Sequence, residues 1–273
     1  MIELPDVSYT SRIADWLELQ TIFSGKSLSK NKTISYIEHQ VGDVKEEKID
    51  SAFQELLRRL DLYGDTKPYT INNNIIIPEM DWKKYPEYVF CLIFSTHGAG
   101  DADIGTKLFE RLTKECLDHF LGFESIIFGF PSGLSFKKQV DKLAAICNED
   151  RGDDPTSFDK DRGVDIVFWK SFNDKRNSQV YVLVQCAAGG KWNTKKPIPL
   201  AAWRRYISWN HTTTLPALAI AQIIESEKWK NAVDEYGIVI DRARLFRVIT
   251  SKKFKISLTL KKDILNWCKS RLN

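Results

Sequence analysis

The chain has 273 residues, of which 43% are hydrophobic and 28% charged, with eight Trp and a formal net charge of +4. This composition fits a folded globular protein of one large or two modest domains, and it excludes disordered, collagen-like and coiled-coil chains. No stretch approaches the roughly 18 apolar residues of a membrane span. The acidic N-terminal segment lacks the basic start and apolar core of a signal peptide. We therefore expect a cytoplasmic protein that does not contact membranes.

The five cysteines predict reduced structural thiols. None belongs to a CxxC pair, and each lies in an apolar or helical context, which argues against a disulfide framework or a zinc ribbon. They are Cys91, Cys116, Cys147, Cys186 and Cys268.

The small net charge results from cancellation between oppositely charged stretches. Residues 1–169 hold 20 basic and 29 acidic residues, and residues 211–241 hold two and five. Residues 170–210 hold eight basic residues and one acidic residue, and residues 242–273 hold ten and one. Two basic stretches are typical of a protein that binds phosphate backbones, although a solvated lysine-rich face is the commoner explanation of any single one.

The first 85 residues are predicted to be mainly helical. Apolar residues recur at helical spacing from Lys48 to Leu62, and Gly64 ends this amphipathic helix. TINNNIII, residues 70–77, predicts a tight turn or a bulged strand. The apolar run from Tyr88 to Phe94 is too short to span a membrane and predicts a buried helix.

From Thr106 the pattern predicts alternating helices and strands. The predicted elements are a helix ending at Gly122, a strand at 125–131, a helix at 136–149, strands at 163–170 and 180–188 joined as a β-hairpin, a helix at 199–209, strands at 215–224 and 237–241, and a basic C-terminal helix. The fold class predicted from this order is α/β. Its mixed β-sheet is flanked by helices in residues 101–273, after a mainly helical N-terminal region at residues 1–100.

Two polar residues interrupt the apolar strands of the predicted hairpin. Asp165 lies two residues into the first strand, and Gln185 takes a comparable position in the second. A carboxylate so near a buried sheet requires compensation by a metal, a base or hydrogen bonds. Either residue alone is more often a satisfied polar group at a strand end, but both on neighbouring strands make a candidate site.

Three segments together resemble the PD-(D/E)XK nuclease superfamily, which has the restriction-endonuclease-like fold. They are KLFERL at 107–112, KDRGVDIVFWK at 160–170 and LVQCAAGGKW at 183–192. The resemblance covers about a third of the chain through short motifs. The three segments together are also similar to those of a set of uncharacterised bacterial proteins of antiphage or restriction-type systems.

The resemblance implies phosphodiester hydrolysis with Mg²⁺ or Mn²⁺, because such an ion neutralises phosphate charge and activates water through oxygen ligands. Asp165 would be the central metal ligand, Glu110 a second carboxylate, and Gln185 would stand where the family more often has Glu. The family's lysine is missing, since position 187 is Ala. Lys191, which follows two glycines, is the candidate to orient the attacking water.

The second carboxylate has two alternative origins. The helix at 136–149 lies closer in sequence to Asp165 and offers Asp141 or Glu149 in place of Glu110. We favour Glu110, because the strand at 125–131 is then the first strand of the sheet and the second helix an insertion. A solvated Glu110, paired with a neighbouring lysine, is the alternative without a function.

Basic residues after the hairpin are candidates for contacts to nucleic-acid phosphates, with aromatic neighbours available for base stacking. They are Lys170, Lys195, Lys196, Arg204 and Arg205. We expect nonspecific backbone contacts, DNA as the partner, and a homodimer or a partner protein of a defence complex.

Three functions are compatible with these features. The leading one is a metal-dependent nuclease. The second is a catalytically inactive nucleic-acid-binding or assembly subunit on the same fold, which the missing lysine at position 187 favours. The third is an interaction protein whose apolar N-terminal helices dock a partner.

Overall fold

The computed structural model describes residues 2–42, 45–98, 102–128, 134–156, 159, 161–187, 189, 192–209 and 214–272, with the backbone alone at 102 and 103. The described helices are α1 (Thr10–Ser24), α2 (Lys30–Val41), α3 (Glu46–Tyr63), α4 (Pro86–His97), α5 (Ala102–Leu121), α6 (Phe136–Cys147), α7 (Leu200–Tyr206), α8 (Ser226–Tyr236), α9 (Arg242–Ile249) and α10 (Leu258–Leu272). The described strands are β1 (Leu28–Ser29), β2 (Tyr69–Asn72), β3 (Ile75–Pro78), β4 (Glu124–Ile127), β5 (Asp150–Arg151), β6 (Ile166–Lys170), β7 (Val180–Ala187), β8 (Ile207–Ser208), β9 (Leu215–Ile220) and β10 (Ile238–Ile240). Among the described helices, none combines the length and the apolar character needed to cross a bilayer.

The N-terminal third contains four helices and a small antiparallel sheet in the order β1-β3-β2. The Asn-rich step of residues 70–77 is a hairpin turn, in which Asn73 and Asn74 have φ values of 48° and 59°. Asn tolerates this left-handed conformation better than most residues, and two such residues in succession match the twist of a two-residue hairpin. The structure therefore has a tight turn here, and the buried helix predicted around Tyr88 is present as α4.

A five-stranded mixed sheet forms the centre of the remaining chain, with the strand order β10-β9-β7-β6-β4. The β4, β6 and β7 strands pair antiparallel, whereas β7, β9 and β10 run parallel. The predicted hairpin is present, with Ile166 opposite Val184 and Lys170 opposite Val180. The predicted α/β class with a mixed sheet flanked by helices is confirmed.

The two faces of the sheet are covered by different helices. Ile166, Phe168, Val182 and Val184 face a large core that they share with α5, α9 and the N-terminal helices. The alternate residues of β6 and β7 face a second core with α6 and α7, and α8 covers the β9–β10 side of the sheet. This alternation follows from the two-residue period of a strand.

The end of α7 departs from its prediction, as does the end of the strand predicted over 215–224, which stops at Ile220. The helix predicted over 199–209 ends at Tyr206, and the next two residues form β8, which pairs with β5. The amide of Gly152 donates to the Tyr206 carbonyl at 3.0 Å, and the amide of Asp153 donates to the Arg205 carbonyl at 2.6 Å. These bonds occupy the last helical carbonyls, so the chain leaves the helix as a strand.

A buried ion network connects the N-terminal helices to α9. Arg59 donates to Asp15 at 2.6 Å, and Arg242 donates to the same carboxylate at 2.5 Å. Glu18 lies 3.3 and 3.4 Å from the two guanidinium groups and accepts hydrogen bonds from the hydroxyls of Tyr63 and Tyr88. Burial opposes ionisation of Asp15, but Arg242 and Arg59 hold its pKa below the usual value. These contacts join segments more than 200 residues apart, while the division at residue 100 stays a prediction.

Candidate functional site

Asp165 stands at the end of the β6–β7 ladder. Its amide donates to the Val184 carbonyl at 2.9 Å, and its carboxylate Oδ2 accepts the Cys186 amide at 2.6 Å. The prediction that Asp165 lies inside the strand is wrong, because β6 begins at Ile166. The bond from Asp165 to Val184 is one residue out of the register that pairs Ile166 with Val184. The carboxylate is thus fixed by a main-chain amide at the margin of the core.

Gln185 lies on β7 between the two residues that bond Asp165. Its side chain is buried, with 7% exposure, and its Oε1 has no hydrogen-bond partner among the described residues. A buried acceptor without a donor costs about 1–3 kcal/mol, so such an atom needs a reason. The alternation of β7 directs Gln185 to the face of the sheet opposite α5, beside the strand end that carries Asp165.

Gly163 makes the space for the Gln185 amide. A Cβ at this position would lie 2.7 Å from Gln185 Nε2, and the φ of Gly163 is +77°. Both the close approach and the left-handed backbone require glycine.

Gly163→Ala is expected to displace the Gln185 amide and to lower divalent-metal affinity about 10-fold, with about 1 kcal/mol of backbone strain. Gly25→Ala is the matched control, since Gly25 has φ +63° and no atom within 4 Å of the added Cβ. Metal titration and urea unfolding of both variants separate the two effects. Equal metal affinity in both would show that the Gln185 amide does not contribute to the site.

Glu110 reaches the same end of the sheet from α5. Burial, followed by the negative charges of Asp165 and Asp161, raises the pKa of Glu110 to about 7. Burial and the charge of Asp161 also raise the pKa of Asp165 to about 6, although the Cys186 amide opposes this shift. Two half-buried carboxyl groups, both with raised pKa values and one raised by the charge of the other, are in an arrangement that a cation would stabilise.

The raised pKa of Glu110 makes the stability of the metal-free protein depend on pH. The folded state retains a proton that the unfolded state loses above about pH 4.3, so this group's contribution falls as pH rises from about 4 to about 7. In chelator, the free energy of unfolding of Glu110→Gln is expected to exceed that of wild type by about 1–2 kcal/mol at pH 8 and to match it at about pH 4, measured by urea unfolding.

The control for this comparison is Glu124→Gln, which alters an exposed carboxylate on β4. It is expected to leave the pH profile of unfolding unchanged. A Glu110→Gln variant with the same pH profile as wild type would contradict the placement of Glu110 beside Asp165.

Asp161 is a site residue that the sequence did not single out. Its charge raises the pKa of both Glu110 and Asp165, and its Oδ1 accepts the Gly163 amide at 2.9 Å. The sequence signal was the Asp-x-Gly spacing at 161–163, since a short acceptor two residues before glycine is typical of a tight turn that folds back on itself.

The alternative carboxylates on and after α6 are engaged elsewhere. Asp141 accepts a hydrogen bond from Arg151 Nε at 2.7 Å. Glu149 accepts from the Tyr181 hydroxyl at 2.7 Å and from the Ser178 amide at 2.8 Å. Because α6 packs on the face of the sheet opposite α5, the structure brings Glu110 towards Asp165 and leaves these two apart.

Three lysines bear on how water would be oriented at the carboxylates. Position 187, where the motif has lysine, holds a buried Ala at the end of β7, and Lys191 lies outside the described residues. Lys195 is exposed, and its positive charge lowers the pKa of Asp165 against the effect of burial. The positive charge of Lys107 likewise lowers the pKa of Glu110 against the effect of burial.

The five predicted phosphate-binding residues lie in three places on the fold, and their role stays a prediction. Lys195 and Lys196 are exposed after β7. Lys170 ends β6 about 15 Å from Asp165 and donates to the Gly122 carbonyl. Arg204 and Arg205 are exposed on α7, which covers the face opposite Glu110. The length of β6 separates Lys170 from the carboxylates, and the sheet separates the two arginines from Glu110.

The donor atoms at this site are those that a hard divalent cation prefers. The described residues contain no cluster of three or more His, Cys, Asp or Glu side chains positioned to hold a metal. The candidate set comprises two carboxylates, from Glu110 and Asp165, and the unpartnered amide oxygen of Gln185. Mg²⁺ is commonly held by one or two carboxylates and completed by water and substrate phosphates, so these residues fit such an ion.

No protein-family model matches the chain, and no curated protein matches it. Among solved structures, the restriction endonuclease FokI aligns with 93% of this chain and 45% of its own, at 11% identity and a TM-score of 0.22. The chain thus spans less than half the length of that structure.

Proposed function

We propose that this protein is a metal-dependent phosphodiesterase that cleaves nucleic acid. The observation that supports the proposal is the proximity of Glu110 on α5 to Asp165, which lies beside Gln185 on the paired strand β7. Glu110 and Asp165 supply carboxylate oxygens, and Gln185 supplies a neutral one.

The role of each side chain follows from its place. A divalent cation bound there would neutralise charge on the scissile phosphate and lower the pKa of water. Asp165 is fixed by the Cys186 amide and is suited to the central ligand position. Glu110 comes from a different element, so the pair encloses the site from two sides. Asp161 adds negative charge that strengthens attraction for a cation.

Lysines beside the carboxylates are the proposed contacts to the substrate. Lys195 and Lys107 are exposed, and the charge of each acts on one of the two carboxyl groups. They are placed to bind phosphates that flank the scissile bond. Lys191 stays the proposed residue for orienting the attacking water, and Lys196 extends the basic segment.

The finer features are also proposals. We propose Mg²⁺ or Mn²⁺ as the metal and DNA as the substrate, bound through its phosphates. A cytoplasmic role in a bacterial antiphage or restriction-type system, with a homodimer or a partner protein, accords with this chemistry.

Incubation of the purified chain with supercoiled plasmid, linear DNA and RNA tests the function directly. We expect cleavage with Mg²⁺ or Mn²⁺ and none in excess chelator. No cleavage of any substrate, at any concentration of either metal, would contradict the proposal.

A second candidate is a nucleic-acid-binding subunit without catalysis, favoured by Ala187 at the lysine position of the motif. It predicts binding to DNA that weakens steeply with salt and survives Asp165→Asn, with no cleavage by the wild type. The cleavage assay and a salt series of binding measurements distinguish the two.

A further inference from the structure

A cavity of about 1020 Å³ lies on the α5 side of the sheet, away from the carboxylates. It is lined by Leu117, His119, Phe120 and Leu121 at the end of α5 and by Val182 near the start of β7. Glu110 and Gln185 lie further along these elements, towards the other end of the sheet. Leu117 is two helical turns from Glu110. This volume is at the upper end of the range of small-molecule sites.

The walls of the cavity are mainly apolar. Leu117, Val182 and Leu245 are buried and form its deeper part. At the rim, Phe120 is 69% exposed and Ile238 is 40% exposed. Large apolar side chains exposed around a concavity are a feature of ligand sites, because water contact with them is unfavourable.

The middle strand of this part of the sheet explains the space. Between β7 and β10, β9 presents Ala217 and Ala219 to the same core as Val182 and Ile240. Alanine adds little volume, so this strand fills less of the core than its neighbours do.

Two arginines at the rim have capacity for an anion. Arg244 lies over the Trp229 ring at 4.7 Å and donates one hydrogen bond, from Nη1 to the Val239 carbonyl at 2.5 Å. Arg247 is exposed one turn further along α9. In the part of the chain that the structure describes, no carboxylate oxygen lies within 4.0 Å of either guanidinium. By contrast, Arg58, which also lines the cavity, is paired with Glu55 at 2.7 Å.

The two acidic residues that line the cavity do not neutralise Arg244 and Arg247. Asp241 caps α9 through the Arg244 amide at 3.0 Å, and burial raises its pKa. Asp61 is exposed at the end of α3. The arginine fork suits a carboxylate or phosphate, which it binds through two parallel hydrogen bonds.

We propose that this cavity binds a small molecule with an apolar or aromatic body and one anionic group. The body lies on the apolar walls, and the anion contacts Arg244 and Arg247. This site is separate from the carboxylate centre, and it does not depend on the nuclease proposal.

The probe for this site is 1-anilinonaphthalene-8-sulfonate, compared with the neutral N-phenyl-1-naphthylamine. We expect the fluorescence of the sulfonate dye to saturate at one bound dye molecule per chain. The double variant Arg244→Gln/Arg247→Gln is expected to weaken sulfonate binding at least 10-fold and to leave the neutral dye within 2-fold. The control Lys262→Gln/Lys269→Gln removes two exposed charges from α10 and is expected to bind both dyes as wild type does.

A second variant tests the cavity itself. Val248→Trp places a large side chain at a half-buried lining position and is expected to abolish binding of both dyes, with circular dichroism confirming the fold. Displacement of the sulfonate by decanoate or by decyl phosphate, but not by decanol, supports the proposal and identifies the anion. Absence of saturable binding, unchanged affinity in the arginine variant, or equal displacement by decanol would overturn it.

Discussion

Asp165→Asn is expected to lower the rate of metal-dependent cleavage by at least about 100-fold. The substitution keeps the shape of the side chain and an oxygen acceptor for the Cys186 amide, but it removes the negative charge that a divalent cation requires. Plasmid cleavage followed over time measures the effect. The thermal unfolding midpoint in chelator is expected to stay the same or rise, because a half-buried carboxylate with a raised pKa is lost.

Asp141→Asn is the matched control for this experiment. Asp141 is the carboxylate that sequence position offers as an alternative, and it pairs with Arg151 on the other face of the sheet. The control is expected to cleave at the wild-type rate within a factor of two. Equal cleavage by wild type and Asp165→Asn, or a loss caused by Asp141→Asn alone, would contradict the site.

Arg242→Met is expected to destabilise the protein by about 3–5 kcal/mol. Arg242 is fully buried, and its guanidinium holds Asp15 and Glu18 together with Arg59. Removing one cation leaves two buried carboxylates to share the other, which costs far more than the loss of a surface ion pair. Urea unfolding, measured with metal absent, gives the change in free energy.

Two further variants show whether the effect comes from the buried charge. Arg247→Met removes an exposed arginine from the same helix and is expected to change stability by less than about 0.5 kcal/mol. The double variant Asp15→Leu/Arg242→Met leaves the Glu18–Arg59 pair and is expected to recover part of the loss. Additive losses in the double variant would contradict a coupled network.

Local periodicity predicted most helices and strands correctly, because their cores are formed by residues close in sequence. The helix around Phe53 and the hairpin of β6 and β7 follow from their apolar spacing. Local periodicity could not predict the buried ion network. Arg59 and Arg242 look like surface residues in the sequence, and only the tertiary fold brings them to buried acids near the N-terminus.

The candidate site was predictable in part for the same reason. Asp165 and Gln185 interrupt apolar strands, so burial of polar groups identified them. Asp161 lies in a loop without periodicity, and its effect on both carboxyl groups depends on how the chain turns at Gly163. The basic residues were grouped by adjacency, but Lys170 is carried to the other end of β6.

A titration of the metal-free chain with Mn²⁺, followed by calorimetry at pH 7.5, tests the central claim without knowledge of the substrate. The account predicts binding at the carboxylate centre that weakens at least 10-fold in both Asp165→Asn and Glu110→Gln and is unchanged in Asp141→Asn. Equal Mn²⁺ affinity in the wild type and in both centre variants would contradict it.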